Sequence, residues 1–157
     1  MTPAIEAAKA AGIFYRVHEY SHDPASESYG EEAADALGLP RDRVFKTLLV
    51  ALNGDARRLA VGVVPVAARL NLKAMAAGCG AKKAQMAQPR EAERATGYVV
   101  GGISPLGQKR RLPTLVDASA ADFETLFVSA GRRGLELELA AQDLLRLTDG
   151  RLAPIRG

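Results

Sequence analysis

Lys46 sits inside the run Val44-Phe45-Lys46-Thr47-Leu48-Leu49-Val50, whose composition is that of a buried strand. Strand alternation puts it on the same face as Val44, Leu48 and Val50. An ammonium on an apolar face has three outcomes: it snorkels to water, meets an anion, or gives up its proton more readily. A second candidate is the segment Gly101-Gly102-Ile103-Ser104-Pro105-Leu106-Gly107-Gln108-Lys109. It is not a nucleotide-hydrolysing phosphate loop, because Gln108 separates glycine from lysine and no hydroxyl follows the lysine. Its glycines either make a plain turn or let backbone N–H groups approach a ligand closely. Glu136 and Glu138 form a third candidate, sharing one face of a strand whose other face carries Leu135, Leu137 and Leu139. The leucines are core, and the carboxylates face either solvent or a cleft.

Other patterns lead nowhere. His18-Glu19-Tyr20-Ser21-His22 matches H-E-x-x-H, which binds zinc only when a helix sets residues i and i+4 on one face. Here the flanking alternation and Asp23-Pro24 predict extended chain, where four residues span about 13 Å. A metal site is therefore rejected. Cys79 lies among Ala77, Gly78, Gly80 and Ala81 with no histidine near it in sequence, so an inert thiol is expected. The two histidines are not placed for a Ser-His-Asp arrangement.

Several elements must hold these residues. Thr2-Pro3 and Gly12 bound a helix over 3–11, and a strand follows over 13–20. Ser28 to Glu31 has capping-box spacing ahead of a helix that ends near Gly38 and Pro40. Strands over 44–52 and 58–64 flank Asn53-Gly54-Asp55, a strong hairpin signal. Asn71 caps a helix through Ala77, a brief strand covers 83–86, and a short helix covers 89–95. Strands are predicted over 98–100, 112–116, 126–129 and 135–139, with a closing helix over 140–147. This order predicts a single α/β domain over residues 1–157, with one mixed sheet and peripheral helices.

The 157 residues suffice for one core, with 48% apolar and 25% charged side chains. No run approaches the roughly 20 apolar residues of a membrane-spanning helix. The N-terminus lacks the order of a secretory signal, and a lone cysteine suits a reducing cytoplasm. A net charge of +3 is a mild cationic bias. The cations fall in clusters: Arg41 and Arg43, Arg57-Arg58, Lys82-Lys83, Lys109 to Arg111 and Arg132-Arg133. They either decorate solvated loop ends or line one rim for a polyanion.

Three segments taken together, Phe45-Lys46-Thr47-Leu48-Leu49-Val50, Gly97-Tyr98-Val99-Val100-Gly101-Gly102-Ile103-Ser104-Pro105-Leu106-Gly107 and Leu112-Pro113, resemble the YbaK/EbsC family. These bacterial proteins are related to the editing domain inserted in many prolyl-tRNA synthetases. The likeness runs from Thr2-Pro3-Ala4 to Arg133-Gly134-Leu135 and points to the family's Cys-tRNA(Pro) deacylases. It implies a compact α/β fold with a strongly curved, barrel-like mixed sheet flanked by helices. It also implies hydrolysis of cysteine from tRNA(Pro) without metal or cofactor, in company with prolyl-tRNA synthetase. The site residues that carry over are Lys46 and the Gly101-Gly102 loop as catalytic groups, with Tyr20, Ser129 and Glu136 on the substrate. Glu136 departs from the family's aspartate by one methylene of extra reach.

The family implies a substrate-assisted route, in which the cysteine thiol attacks its own ester and leaves as a cyclic thiolactone. Two other readings are a water-using deacylase of Ala-tRNA(Pro) and a non-catalytic adaptor for tRNA or the synthetase.

Overall fold

The computed structural model describes residues 1–26 and 28–157. Helix α1 (Pro3–Ala11) begins as its caps predict: the Thr2 hydroxyl accepts from the Ile5 N–H, and Gly12 closes the helix in the left-handed region. The Thr2 hydroxyl also donates to the Ala130 carbonyl, which fastens α1 to the loop after a distant strand. Strand β1 (Tyr15–Glu19) follows, and then α2 (Tyr29–Ala36). The predicted capping box is not made, because Ser28 forms no side-chain cap and Glu31 pairs with Arg41 instead, at 2.7 Å.

Strands β2 (Phe45–Leu52) and β3 (Asp55–Pro65) form the predicted hairpin. Asn53 and Gly54 both have positive φ, 55° and 71°, as a tight primed turn requires. Helix α3 (Leu72–Gly78) is capped by the Asn71 side chain, which accepts from the Ala74 N–H at 3.0 Å. Strand β4 (Ala84–Met86) and helix α4 (Pro89–Thr96) complete the middle of the chain. Beyond them lie β5 (Thr114–Asp117), a 3-10 turn (Ala118–Asp122), β6 (Thr125–Ser129), β7 (Leu135–Ala140), α5 (Ala141–Thr148) and β8 (Arg151–Ala153). The 3-10 turn and β8 carry too few residues to show a period in the sequence.

The structure corrects two expectations. The chain 98–100 is no strand. The Tyr98 hydroxyl is buried and donates to the Leu106 carbonyl at 2.6 Å, Glu93 takes the Val100 N–H, and the Gly102 N–H closes a turn on the Val99 carbonyl. With its polar groups satisfied locally, that backbone has no need of a neighbouring strand. The strands also divide between two open sheets rather than one. An antiparallel sheet has the order β1-β7-β6, and a mixed sheet has the order β4-β2-β3-β5-β8, in which β3, β5 and β8 run parallel. A single parallel bridge, Val44 to Phe127, joins them, so the barrel-like closure of one curved sheet is not seen.

The main core lies between the sheets, where Leu49, Val61, Val63 and Val116 meet Leu126, Val128, Leu137 and Leu139. A smaller core under α3 includes Val50, Val64, Met75 and Leu115. Asp117, at the end of β5, is 1% exposed, and its carboxylate accepts from the N–H groups of Ser119, Ile155 and Arg156. It thereby ties the C-terminal segment to the sheet. Asp117→Ala strands the buried Ile155 donor and the part-buried donors of Ser119 and Arg156, and should cost about 2–3 kcal/mol. That corresponds to a fall in Tm of roughly 5–10 °C for a chain of this size, read by thermal unfolding.

Candidate active site

The junction of the two sheets builds the site. Beyond the Val44–Phe127 bridge, β2 and β6 make no further pairing, and a cavity of about 420 Å³ opens beside them. Two residues further along each strand come Lys46 and Ser129, and both line it. Ser129 is paired in register with Glu136 on β7, and Glu136 with His18 on β1. Tyr20, at the end of β1, has its N–H on the Gly134 carbonyl at 3.0 Å and also reaches the cavity. Four of the six residues singled out from the sequence therefore converge through strand register alone.

Gly101 lines the cavity as well, while Gly102 does not. Gly101 has φ +98°, and a Cβ there would press on the Tyr29 ring at 3.1 Å. Gly102 lies so close to the next loop that a Cβ would meet the Arg132 Cα at 2.7 Å. Its N–H is spent on the Val99 carbonyl at 2.9 Å, so its part is to let two loops touch, and the expected pair of backbone donors is reduced to Gly101.

Lys46 is half-buried and forms no ion pair within 4.0 Å among the described residues. Burial draws its pKa below the usual lysine value, Glu31 opposes the shift, and Arg69 adds to it. Tyr20 is displaced upward, chiefly by burial.

Glu136 and Glu138 share a face and have opposite surroundings. Glu138 accepts from the Thr125 hydroxyl at 2.7 Å, meets His18 Nε2 at 3.0 Å and lies 3.5 Å from Arg43. Those hydrogen bonds and cations outweigh desolvation and hold its carboxyl below the ordinary range. Glu136 is 5% exposed, and its Oε2 has no hydrogen-bond partner among the described residues. Burial alone pushes its pKa up to about 8. The Thr47 hydroxyl, also on the cavity wall, is a second buried polar atom without a partner. Such atoms are uncommon in folded proteins, where most buried polar groups have a protein or water partner.

Other sequence-level candidates lie elsewhere. His18, the first histidine of the H-E-x-x-H pattern, is in β1, an extended strand as predicted, and stacks edge-on against Phe127. Cys79 follows α3, and burial pushes its thiol up, which fits the inert role expected of it. The arginines do not form one rim. Arg41 binds Glu31 and Asp35, and Arg43 binds Thr125 and Glu138. Arg133 reaches the Asp23 and Ser26 carbonyls and lies 4.2 Å over the Tyr29 ring. Arg57-Arg58 and Lys82-Lys83 flank the tip of the β2–β3 hairpin instead. Of these clusters only Arg132 lines the cavity. Tyr29 and Thr47 also line the cavity, and sequence reasoning gave neither a role of its own. Thr47 had only its place beside Lys46 to mark it, and Tyr29 was hidden in a helix start.

Fold and cavity define a small α/β protein with a half-buried lysine and a buried carboxyl on the wall of one cavity. The model of the aminoacyl-tRNA editing domain matches residues 22–147. The chain belongs to this family, the one its motifs resemble. It is 35% identical over 154 residues to EbsC of Enterococcus faecalis, a candidate Cys-tRNA(Pro)/Cys-tRNA(Cys) deacylase, covering 98% of this chain and 92% of EbsC. It is also 35% identical over 97 residues to a proline–tRNA ligase of Acidithiobacillus ferrooxidans, covering 60% of this chain and 16% of the ligase. Among crystal structures, the hypothetical protein APE2540 superposes with a TM-score of 0.86 at 26% identity, over 99% of both chains. A candidate trans-editing enzyme for prolyl-tRNA synthetase shares the fold, with a TM-score of 0.79 at 23% identity over 100% of this chain and 99% of that one.

The displaced acidity of Glu136 has a measurable sign. In the unfolded chain it ionises near 4.5, and in the fold it keeps its proton to about 8. Between those values the folded state binds more protons, so stability falls as pH rises through the window and levels off above it. The slope approaches about 1.4 kcal/mol per pH unit. Glu136→Gln removes this contribution, and Tyr20, raised above its ordinary value chiefly by burial, stays protonated in both proteins below pH 8. The Tm of Glu136→Gln minus that of wild type should therefore widen from pH 5 to pH 8 and then hold constant.

Proposed function

We propose that this chain is a single aminoacyl-tRNA editing domain that hydrolyses wrongly attached amino acid, cysteine first, from tRNA(Pro). The observation that carries the reading is the convergence of Lys46, Gly101, Ser129, Tyr20 and Glu136 on a cavity of about 420 Å³. That volume suits a small molecule, and therefore an aminoacylated 3′ end rather than folded nucleic acid. The name carried by EbsC supports cysteine as the amino acid. The partial match to proline–tRNA ligases supports action alongside that synthetase. Cysteine and proline are close in size, and a methylene-scale difference discriminates by only about 1–3 kcal/mol, so charging errors need a second sieve.

The chemistry is assigned to the substrate. The cysteine sulfur bonds to the ester carbonyl carbon, the bond from that carbon to the ribose oxygen breaks, and the thiol proton ends on the ribose oxygen. The products are uncharged tRNA and a thiolactone, which water then opens to free cysteine, so that the sum is hydrolysis. An intramolecular attack held in the right geometry can reach effective molarities of about 10⁵ M or more, which removes the need for a nucleophile on the protein. The Gly101 N–H holds the developing oxyanion. Lys46 anchors the phosphate of the terminal adenosine or the ester oxygens. Tyr20 and Ser129 supply hydrogen bonds to the ribose or the aminoacyl group.

The test follows release of labelled amino acid from Cys-tRNA(Pro) and Ala-tRNA(Pro). Wild type should release cysteine rapidly and largely spare alanine, and Lys46→Ala should lose about a hundredfold or more of that rate. Preferential loss of alanine would move the chain to the water-using deacylases. Release no faster than in buffer would leave a non-catalytic adaptor.

A further inference from the structure

The cavity has two poles. Lys46 stands on β2 and Glu136 on β7, and no ion pair within 4.0 Å links them among the described residues. Among the described residues no other cation bonds Glu136 either, although its same-face neighbour Glu138 has taken both His18 and Arg43. The Glu136 side chain lines the cavity and is 5% exposed, and its Oε2 finds no hydrogen-bond donor among the described residues. Leaving it so is costly, and a fold that keeps it is completed by a donor from the ligand.

Besides the base and the amino-acid side chain, the end of an aminoacyl-tRNA offers three kinds of group. Its phosphates are anions, which a lysine attracts and which would oppose ionisation of a buried carboxyl, whereas a cation favours it. Its ribose hydroxyls are neutral donors. Its α-amino group is the one cation, a few ångströms from the ester. We infer that Glu136 receives the free α-ammonium group of the substrate, so that the site admits esters of unblocked amino acids and refuses those whose amine is acylated or absent. The inference rests on the deacylase reading and adds to it a criterion for what is cleaved. Peptidyl and formylated esters, which make up much of the tRNA engaged in synthesis, lack that cation and are spared. Thr47 offers a neutral hydroxyl on the same cavity wall, a weaker partner for an ammonium than a carboxylate.

The experiment compares two esters on tRNA(Pro), cysteinyl and 3-mercaptopropionyl. The second keeps the thiol, the ester and the ribose, and drops only the amine, so no added bulk confuses the result. Wild type should cleave the cysteinyl ester about tenfold to a hundredfold better in kcat/KM. Glu136→Gln should lose most of that advantage through the cysteinyl ester, bringing the two esters within about threefold of each other. The deamino ester also reports whether the variant is folded. Equal cleavage of both esters by wild type would overturn the inference and leave the deacylase standing. So would an equal loss on both esters in Glu136→Gln, which would assign the carboxyl to the thiol or the ribose. If wild type cleaves neither ester faster than buffer, the deacylase reading falls and the inference falls with it.

Discussion

One parallel bridge, Val44 to Phe127, governs the geometry of this protein. There β2 of the mixed sheet touches β6 of the antiparallel sheet, with the Phe127 N–H on the Arg43 carbonyl at 3.1 Å. Paired strands run about 4.8 Å apart. A single bridge followed by separation therefore leaves a wedge whose walls begin close together and whose side chains point across it. The spacing from the bridge is the same on both strands, two residues to Lys46 and two to Ser129. Register then carries the second wall onward, from Ser129 to Glu136. A catalytic cavity is thus built from backbone pairing, before any side chain chooses a rotamer.

The same face of β7 shows how surroundings divide two equal carboxylates. Glu138 lies where Thr125, His18 and Arg43 can reach it, and it stays ionised as part of the scaffold. Glu136, one pleat along, lies in the wedge and meets nothing that satisfies it. An unbonded buried polar group costs about 1–3 kcal/mol. The large apolar core between the sheets bears that cost, and the group is kept ready for a partner that comes with the ligand. Lys46, half-buried and unpaired on the opposite wall, is held in a similar way.

The glycine-rich loop closes the site by a different device. Buried Tyr98 fixes its base through the Leu106 carbonyl, and Glu93 fixes its rim through the Val100 N–H. The Lys109 and Arg110 N–H groups return it to the end of α4. So restrained, the loop can bring Gly101 against the Tyr29 ring, which Arg133 covers from the far side. Three of the clustered arginines that resembled a nucleic-acid rim, Arg41, Arg43 and Arg133, are spent on such internal tasks. The charge count of a sequence does not distinguish a cation that binds a partner from one that pins a loop.

Local signals settled much of this protein without a structure. The Thr2 and Asn71 caps, the Asn53-Gly54 turn and the apolar periods of β2, β3, β6 and β7 act over a few residues, so they are legible in order along the chain. Lys46 on an apolar strand and the glycine segment were visible for the same reason, and their combination was specific enough to point to the family. The sequence could not show that the strands divide between two sheets, or that residues 98–100 turn instead of pairing. Nor could it show that Gly102 spends its N–H, or that Glu136 is buried while Glu138 is satisfied. Those outcomes depend on which distant backbone and side-chain groups come within about 3–4 Å, and that distance is set only when the two sheets meet.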